Sequence, residues 1–308
     1  VITRNDSLLY ARGFGWADKE KGIKMEPNML MRFASVSKLI TAVGIMKLQE
    51  MKKLKLNEKV FGPKGILNDT TYNNGIKDQR YYDITVEQLL RHQAGFNNYA
   101  GDPVSSTRYI MMQNRLTTPP DHKTLLRILL KRHLGYTPGQ GKCYSNLGYM
   151  ILSMVIEKKS GMKYENFMQK YVLQPAGCYD MHIAGTYLKD RRPNETKYYM
   201  HQGSIPVYEY NNSGRLVEKC YGDTDLPRLS GAGAWCGSAA ELSRFIASID
   251  GMPHVKDILS KKSIQFMTTE QPDHQYSIGW NYTPKSNKPW IRTGSLAGTS
   301  ALVLKYPD

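Results

Sequence analysis

The 308 residues contain only four cysteines, Cys143, Cys178, Cys220 and Cys236. Their spacing fits neither a zinc pattern nor a C-x-x-C redox pair. They allow up to two disulfides in an oxidising compartment, in pairings the spacing does not choose, but buried free thiols are the expectation. No apolar run approaches the roughly 20 residues of a membrane-spanning helix. The first ten residues lack the basic-then-apolar order of a signal peptide. Val1 falls inside a strand pattern and Tyr306-Pro307-Asp308 reads as a turn toward a further strand, so both ends are expected to be trimmed. There is no internal repeat and no low-complexity tract. None of the seven histidines forms an H-E-x-x-H pair, so no catalytic metal is expected.

Acidic residues are also scarce: 27 against 42 Lys and Arg, a net charge of +15. Such a surface suits nucleic acid, anionic membranes or acidic polymers. Yet there is no zinc finger, RNA-binding signature or long basic block. The short clusters Lys52-Lys53, Arg191-Arg192 and Lys261-Lys262 read as solvated faces, so a nucleic-acid partner is not expected. An anionic cell-wall polymer is compatible with the charge but not selected by it. With 41% hydrophobic and 22% charged residues, the composition is that of a globular chain with one large domain or two intimate ones.

The periodicities place helices in the middle of the chain. Leu39, Ile40, Val43 and Met46 give one apolar face from Ser35 to about Met51. Thr85 and Gln88 have capping-box spacing, which predicts a second helix. Asp121 caps a third over about 123–133, and a fourth runs from Asn146 to a natural stop at Gly161. A further helix is predicted over 238–249. Strands are predicted over 7–16, 276–282, 290–293 and 299–305, and residues 188–225 look irregular. Strands at both ends and helices between suggest a sheet built from both termini around a helical insertion.

Three short motifs carry the chemistry. Ser35-Val36-Ser37-Lys38 is an S-x-x-K, which puts Ser and Lys on one helix face. A serine hydroxyl needs a partner to take its proton, and a desolvated lysine beside other cations can serve. At a helix start, the positive dipole end favours a developing anion. The string is weak alone: about one or two chance matches are expected in such a chain. A second match, Ser160-Gly161-Met162-Lys163, straddles a helix end and reads as a C-terminus, whereas Ser35 on its own is as good an N-cap as a nucleophile.

The second motif is Tyr144-Ser145-Asn146, just before the fourth helix. A tyrosine whose pKa is lowered by nearby charge can shuttle a proton, and an Asn can hold the lysine or a substrate amide. Tyr72-Asn73-Asn74 and Tyr210-Asn211-Asn212 share the form but lie in polar loop. The third motif is Arg292-Thr293-Gly294-Ser295 on a late strand. It offers a cation, a hydroxyl and a close-lying backbone for a substrate carboxylate. The N–H groups of Ser295 and Ser35 are candidates for an oxyanion hole. Lys159-Ser160-Gly161 is a decoy of the same form.

The order S-x-x-K, Y-x-N, cation-T-G resembles the serine β-lactamases and penicillin-binding proteins, and the Tyr form of the middle motif resembles their class C branch. The likeness runs through 13–18, 32–38, 84–95, 144–149, 175–177 and 294–300. It implies a β-lactamase/transpeptidase-like α/β (α+β) fold, with an antiparallel sheet flanked by helices from residues 1–60 and 232–308 and a mostly helical insertion over 61–231. It implies a serine hydrolase that acylates Ser35, with Lys38 and Tyr144 catalytic. The oxyanion hole would be the backbone of Ser35 and Ser295, and Asn146, Arg292, Thr293 and Gly294 would bind substrate. His92 would be structural. A substrate-amide ligand would be Asn97 or Asn98.

The resemblance also implies no cofactor, a small-molecule or peptide substrate such as a cell-wall D-peptide or β-lactam, and export to the periplasm or cell surface. The family usually carries Lys where this chain has Arg292; Arg keeps the charge and adds a bidentate fork. β-Lactamase, D-peptidase and esterase all stay open, and a non-catalytic binding or sensor module on the same fold is the competing class.

Overall fold

The computed structural model describes residues 1–99, 101–273 and 275–307. The turn expected over 306–308 ends on Asp308, outside the described residues. Among the described residues the strands are β1 (Ile2–Arg4), β2 (Ser7–Tyr10), β3 (Trp16–Asp18), β4 (Ile23–Lys24), β5 (Met31–Arg32), β6 (His182–Ile183), β7 (Val207–Tyr208), β8 (Leu216–Val217), β9 (Trp235–Gly237), β10 (Trp290–Leu296) and β11 (Thr299–Lys305). The α-helices are α1 (Ser37–Glu50), α2 (Thr70–Asn73), α3 (Val86–Leu90), α4 (Thr107–Gln113), α5 (His122–Leu129), α6 (Asn146–Ser160), α7 (Tyr164–Met168), α8 (Leu226–Leu229), α9 (Ala239–Ala247) and α10 (Lys261–Met267). None of the described helices is long and apolar enough to cross a membrane. This is the mixed helix and antiparallel-sheet architecture expected from the sequence.

Helix α1 is the centre of the molecule. Its sequence is apolar on every side, so it buries all its faces rather than one stripe, with Leu39, Ile40, Val43, Ile45, Met46 and Leu48 inaccessible to solvent. Each such side chain contributes roughly 1.5–3 kcal/mol by leaving water. Helix α6 is buried in the same way from Leu147 to Ile156 and packs against α1. Gly44 permits a close approach there: a Cβ would lie 2.5 Å from Met168 Sδ and 3.2 Å from Ile156 Cδ1. The caps follow the sequence. Thr85 and Gln88 form the capping box of α3, Asp121 and Ser238 cap α5 and α9, and α6 stops at left-handed Gly161.

Two antiparallel units flank this core. One is a three-stranded sheet in the order β5-β9-β6, and the other is the β10-β11 hairpin. Strand β6 lies within the 61–231 stretch read as a helical insertion, yet it pairs with β9. The irregular 188–225 stretch likewise contains the β7-β8 pair. The strand predicted over 7–16 is interrupted over 11–15, where Gly15 takes a left-handed conformation (φ 76°). The strand predicted over 276–282 is a turn. Tyr276 and Gly279 are left-handed, and Gly279 is pressed against Leu39 and Ala42 of α1. Packing of Ile278 and Trp280 into the core overrides their strand-like pattern. All four cysteines are free thiols, three of them buried.

Candidate active site

The nucleophile candidate sits on a strained turn. Strand β5 runs into Phe33, whose N–H donates to the Trp235 carbonyl (2.8 Å) and so extends the sheet to the edge of the site. Ala34 then takes a left-handed conformation (φ 48°), and residues Ala34–Val36 form a 3₁₀ turn feeding α1. A non-glycine residue there costs on the order of 1 kcal/mol and needs surrounding structure to hold it. The two serines of the motif then diverge. Ser37 is buried, its Oγ accepting the Trp235 N–H (3.0 Å), while Ser35 is partly exposed.

Lys38 is fully buried, and Nζ donates to Asn146 Oδ1 (2.6 Å), the Ala232 carbonyl (2.6 Å) and Ser35 Oγ (3.2 Å). Three acceptors match the three N–H bonds of an ammonium. Burial lowers its pKa below the usual lysine value; Tyr144 opposes the fall and the Arg292 charge adds to it. Tyr144 Oη donates to Ser35 Oγ at 2.7 Å. Burial alone would raise the phenol, but the charges of Lys38 and Arg292 and the bonds to Lys38 and Ser35 outweigh it, leaving a pKa of about 8. The site thus holds a serine oxygen between a buried amine and an acidified phenol.

The Tyr144–Asn146 segment is pinned along its backbone. The Tyr144 carbonyl accepts from Asn98 Nδ2 (2.7 Å), the Ser145 N–H donates to His92 Nδ1 (3.1 Å), and the Asn146 N–H donates to Asp102 Oδ2 (3.1 Å). Ser145 Oγ caps α6. Of the two asparagines read as substrate ligands, Asn98 reaches Tyr144, while Asn97 Oδ1 accepts the Tyr99 N–H. His92 is buried and left-handed (φ 58°), with its ring 4.7 Å from that of Tyr144, 5.2 Å from Tyr149 and 4.9 Å from Tyr276. Burial first, then the charges of Lys38, Arg292 and Lys142, holds its pKa well below 6.5. It is therefore neutral, and because Nδ1 accepts, its proton is assigned to Nε2.

Strand β10 lies against the nucleophile turn. A Cβ on Gly294 would stand 2.4 Å from the Phe33 carbonyl oxygen and 2.9 Å from the Ser35 nitrogen, so only glycine lets the strand come this close. Thr293 and Ser295 lie on the exposed side of the strand. Arg292 differs from a fork open to substrate: it is 1% exposed, and Nε (2.9 Å) and one terminal nitrogen both donate to the Ser35 carbonyl.

The structure therefore gathers Lys38, Tyr144, Asn146, Arg292 and Gly294 around the Ser35 turn, with Lys38 and Tyr144 on Ser35 Oγ and Arg292 on the Ser35 carbonyl. Sequence reasoning missed the Ala232 carbonyl, Asp102 and Asn281, whose Oδ1 accepts the Thr293 N–H (2.9 Å). The first is a backbone group and the other two sit in loops, so no motif spacing pointed to them.

Comparison with known proteins came out consistently. The Beta-lactamase family model matches residues 1–308. Penicillin-binding protein 4* of Bacillus subtilis (strain 168) is 25% identical over 323 residues, covering all of this chain and 65% of the relative. Protein flp of Staphylococcus aureus (strain COL) is 26% identical over 311 residues, covering all of this chain and 56% of the relative. The chain thus spans less than two thirds of the length of these relatives.

Among solved structures, the penicillin-binding protein from Bacillus halodurans superposes with a TM-score of 0.71 at 17% identity, over 96% of this chain and 83% of that one. The octameric penicillin-binding protein homologue from Pyrococcus abyssi gives 0.67 at 23%, over 98% and 65%. A D-stereospecific amidohydrolase from Streptomyces sp. gives 0.62 at 22%, over 91% and 79%. Likeness at these identities carries the fold.

Proposed function

The chain belongs to the Beta-lactamase family, and from that premise we propose that it is a serine hydrolase working through an acyl-enzyme on Ser35. The observation that carries this is the convergence of Tyr144 Oη and Lys38 Nζ on Ser35 Oγ, at 2.7 and 3.2 Å. Tyr144, as phenolate stabilised by Lys38 and Arg292, takes the Ser35 proton while Oγ attacks the substrate carbonyl carbon. The carbonyl oxygen becomes an oxyanion received by the N–H groups of Ser35 and Ser295. Collapse breaks the bond to the leaving amine or alcohol, which takes the proton back from Tyr144. Water, activated by the same phenolate, then releases the acid and frees Ser35.

The substrate class we favour is an amide or ester of a D-amino acid or D-peptide, met outside the cytoplasm. The amidohydrolase among the structural neighbours supports it. So does Arg292: with two of its N–H groups on the Ser35 carbonyl, it acts on the charge of Tyr144 and Lys38 more than as a clamp for a β-lactam carboxylate. Thr293 and Asn146 would line the substrate's path.

A fluorophosphonate probe and a fluorescent penicillin test the nucleophile. Both are expected to label the protein and to fail on Ser35→Ala. Labelling that persists in the variant sinks the assignment, and no labelling of either protein favours a binding module. Turnover of a D-alanyl amide, an acyl ester and a chromogenic cephalosporin then sorts the substrate.

A further inference from the structure

The sheet β5-β9-β6 carries an unexplained cluster on the face away from α7. The Trp235 indole on β9 reaches Tyr164 of α7 (2.9 Å), so its neighbour Cys236 points to the opposite side. In register with Cys236 lies His182 of β6. Glu195 covers this face, where its segment bridges to Leu30. His182, Glu195 and Cys236 are all at least 96% buried, and their donor atoms lie within 4.8 Å of one another.

The hydrogen bonds around the cluster leave a gap that suits a cation. His182 Nδ1 meets the Asp180 carbonyl at 2.9 Å, and a carbonyl can only accept, so Nδ1 carries a proton. Nε2 is then the ring atom left to bind an ion, and it faces Glu195 Oε2 at 3.8 Å. That distance is longer than a hydrogen bond and leaves the two atoms apart. Glu195 is itself oriented: Tyr198 Oη donates to Oε1 (2.8 Å) and the Arg192 N–H to Oε2 (3.2 Å). Tyr198 in turn accepts the Arg32 N–H (2.9 Å). A histidine fixed by a backbone carbonyl and a carboxylate fixed by donors are the supports that metal-ligating side chains usually have.

We propose that His182 Nε2, Glu195 Oε2 and Cys236 Sγ bind one Zn²⁺. Nitrogen, sulfur and oxygen donors together suit this borderline ion, and tetrahedral bonding sets neighbouring donors about 3.3–3.8 Å apart. The cluster, its donor atoms within 4.8 Å of one another, reaches that spacing by contracting by up to about 1.5 Å. The fourth position goes to water, with Tyr198 Oη 3.9 Å from the sulfur. Binding forms two metal bonds to anionic ligands and releases the thiol proton to solvent. With thiolate and carboxylate the ion makes a neutral unit, and Arg32 beside it stays held by the Cys220 and Gly185 carbonyls. The ion is structural: it ties β6 and β9 to the segment carrying Glu195. No sequence spacing announces it, because the ligands come from three separate stretches.

The test uses the whole chain, stripped with a chelator and given ZnCl₂ or CoCl₂. One zinc per chain is expected, with a rise in melting temperature. Cobalt is expected to give tetrahedral visible bands and a thiolate charge-transfer band in the near ultraviolet. Cys236→Ser should lose that band and weaken zinc binding roughly 100-fold or more, and His182→Gln should weaken it likewise. Cys143→Ser, Cys178→Ser and Cys220→Ser should each keep the band, which assigns the sulfur by elimination even if Cys236→Ser fails to fold. A wild-type chain that takes up no zinc, or a band that survives in Cys236→Ser, overturns the proposal.

Discussion

The chain contains two S-x-x-K strings, and they end in opposite places. Ser35 lies in the 3₁₀ turn that feeds α1 and Lys38 in the first turn of α1: the lysine is inaccessible to solvent and the serine receives a phenol and an amine. Ser160 and Lys163 straddle the gap between α6 and α7. There Ser160 Oγ takes the Met162 N–H (3.1 Å) in a local turn, and Lys163 is exposed at the cap of the next short helix. The same four-residue string therefore gives a buried hydrogen-bonded cluster in one place and a helix stop in the other. Burial makes the difference. A lysine in water is a solvated ammonium whatever stands three residues before it, whereas Lys38 is desolvated and pressed against a second ionisable group.

The largest test of that contrast is to remove each lysine's charge. Lys38→Met is expected to slow acylation of Ser35 by about 10⁴-fold, at the upper end of what one proton-transfer group supplies. It should also move the titration of Tyr144 upward, since Lys38 is the largest influence lowering it. Lys163→Met should leave the rate within about twofold. Stopped-flow labelling with a chromogenic ester measures both, and equal losses would erase the distinction between the two strings.

Tyr144→Phe sharpens the same contrast, because the second string has no tyrosine against its serine. We expect a loss of about 10³-fold. The pH profile is the decisive part. With Tyr144 near pKa 8, the phenolate fraction and the acylation rate rise as pH passes through 8 and level off above it. Tyr144→Phe should lose that limb. If the limb stays at its old position, Lys38 is the base and Tyr144 only a donor.

Much of this was legible in the sequence, and what was legible is local. The capping box at Thr85 and the stop at Gly161 depend on residues within one turn of each other and are where the spacing put them, while α1 begins at Ser37, two residues after the expected Ser35, which a 3₁₀ turn takes up. The order of the three motifs pointed to Ser35, Lys38, Tyr144 and Asn146 together. What was not legible depends on long-range packing. The 276–282 stretch alternates like a strand but is bent by its fit against α1. Arg292 has a strand-edge pattern, yet its side chain turns onto the Ser35 carbonyl, more than 250 residues earlier in the chain. Asp102 and Asn281 act on backbone groups, which carry no sequence identity to match.

Gly294 tests how far the first string depends on its neighbour strand. Gly294→Ala puts a methyl within 2.4 Å of the Phe33 carbonyl oxygen, so β10 or the nucleophile turn must shift. A displacement near 1 Å costs about 10²-fold in rate when reacting groups lose alignment. The fold should survive, since β10 keeps its pairing with β11. Unchanged kcat with an intact circular dichroism spectrum would show that the close approach has no catalytic consequence.

The smallest effect concerns His92, which supports Tyr144 from behind. Its folded pKa is held well below 6.5, by burial first and then by Lys38, Arg292 and Lys142. The unfolded chain takes up a proton near the ordinary value of about 6.5, and the folded chain does not. Stability is therefore full above about pH 6.5 and falls as pH drops below it, by up to about 1.4 kcal/mol per pH unit, until folded His92 itself titrates. His92→Asn removes the titration while suiting the site. Asparagine tolerates the left-handed backbone, and its Oδ1 stands where Nδ1 accepts the Ser145 N–H. Urea midpoints between pH 5 and 8 should show a shallower slope in the variant than in the wild type. Parallel curves would mean that His92 is not the neutral prop behind Tyr144, and that the buried order around the first string rests on other groups.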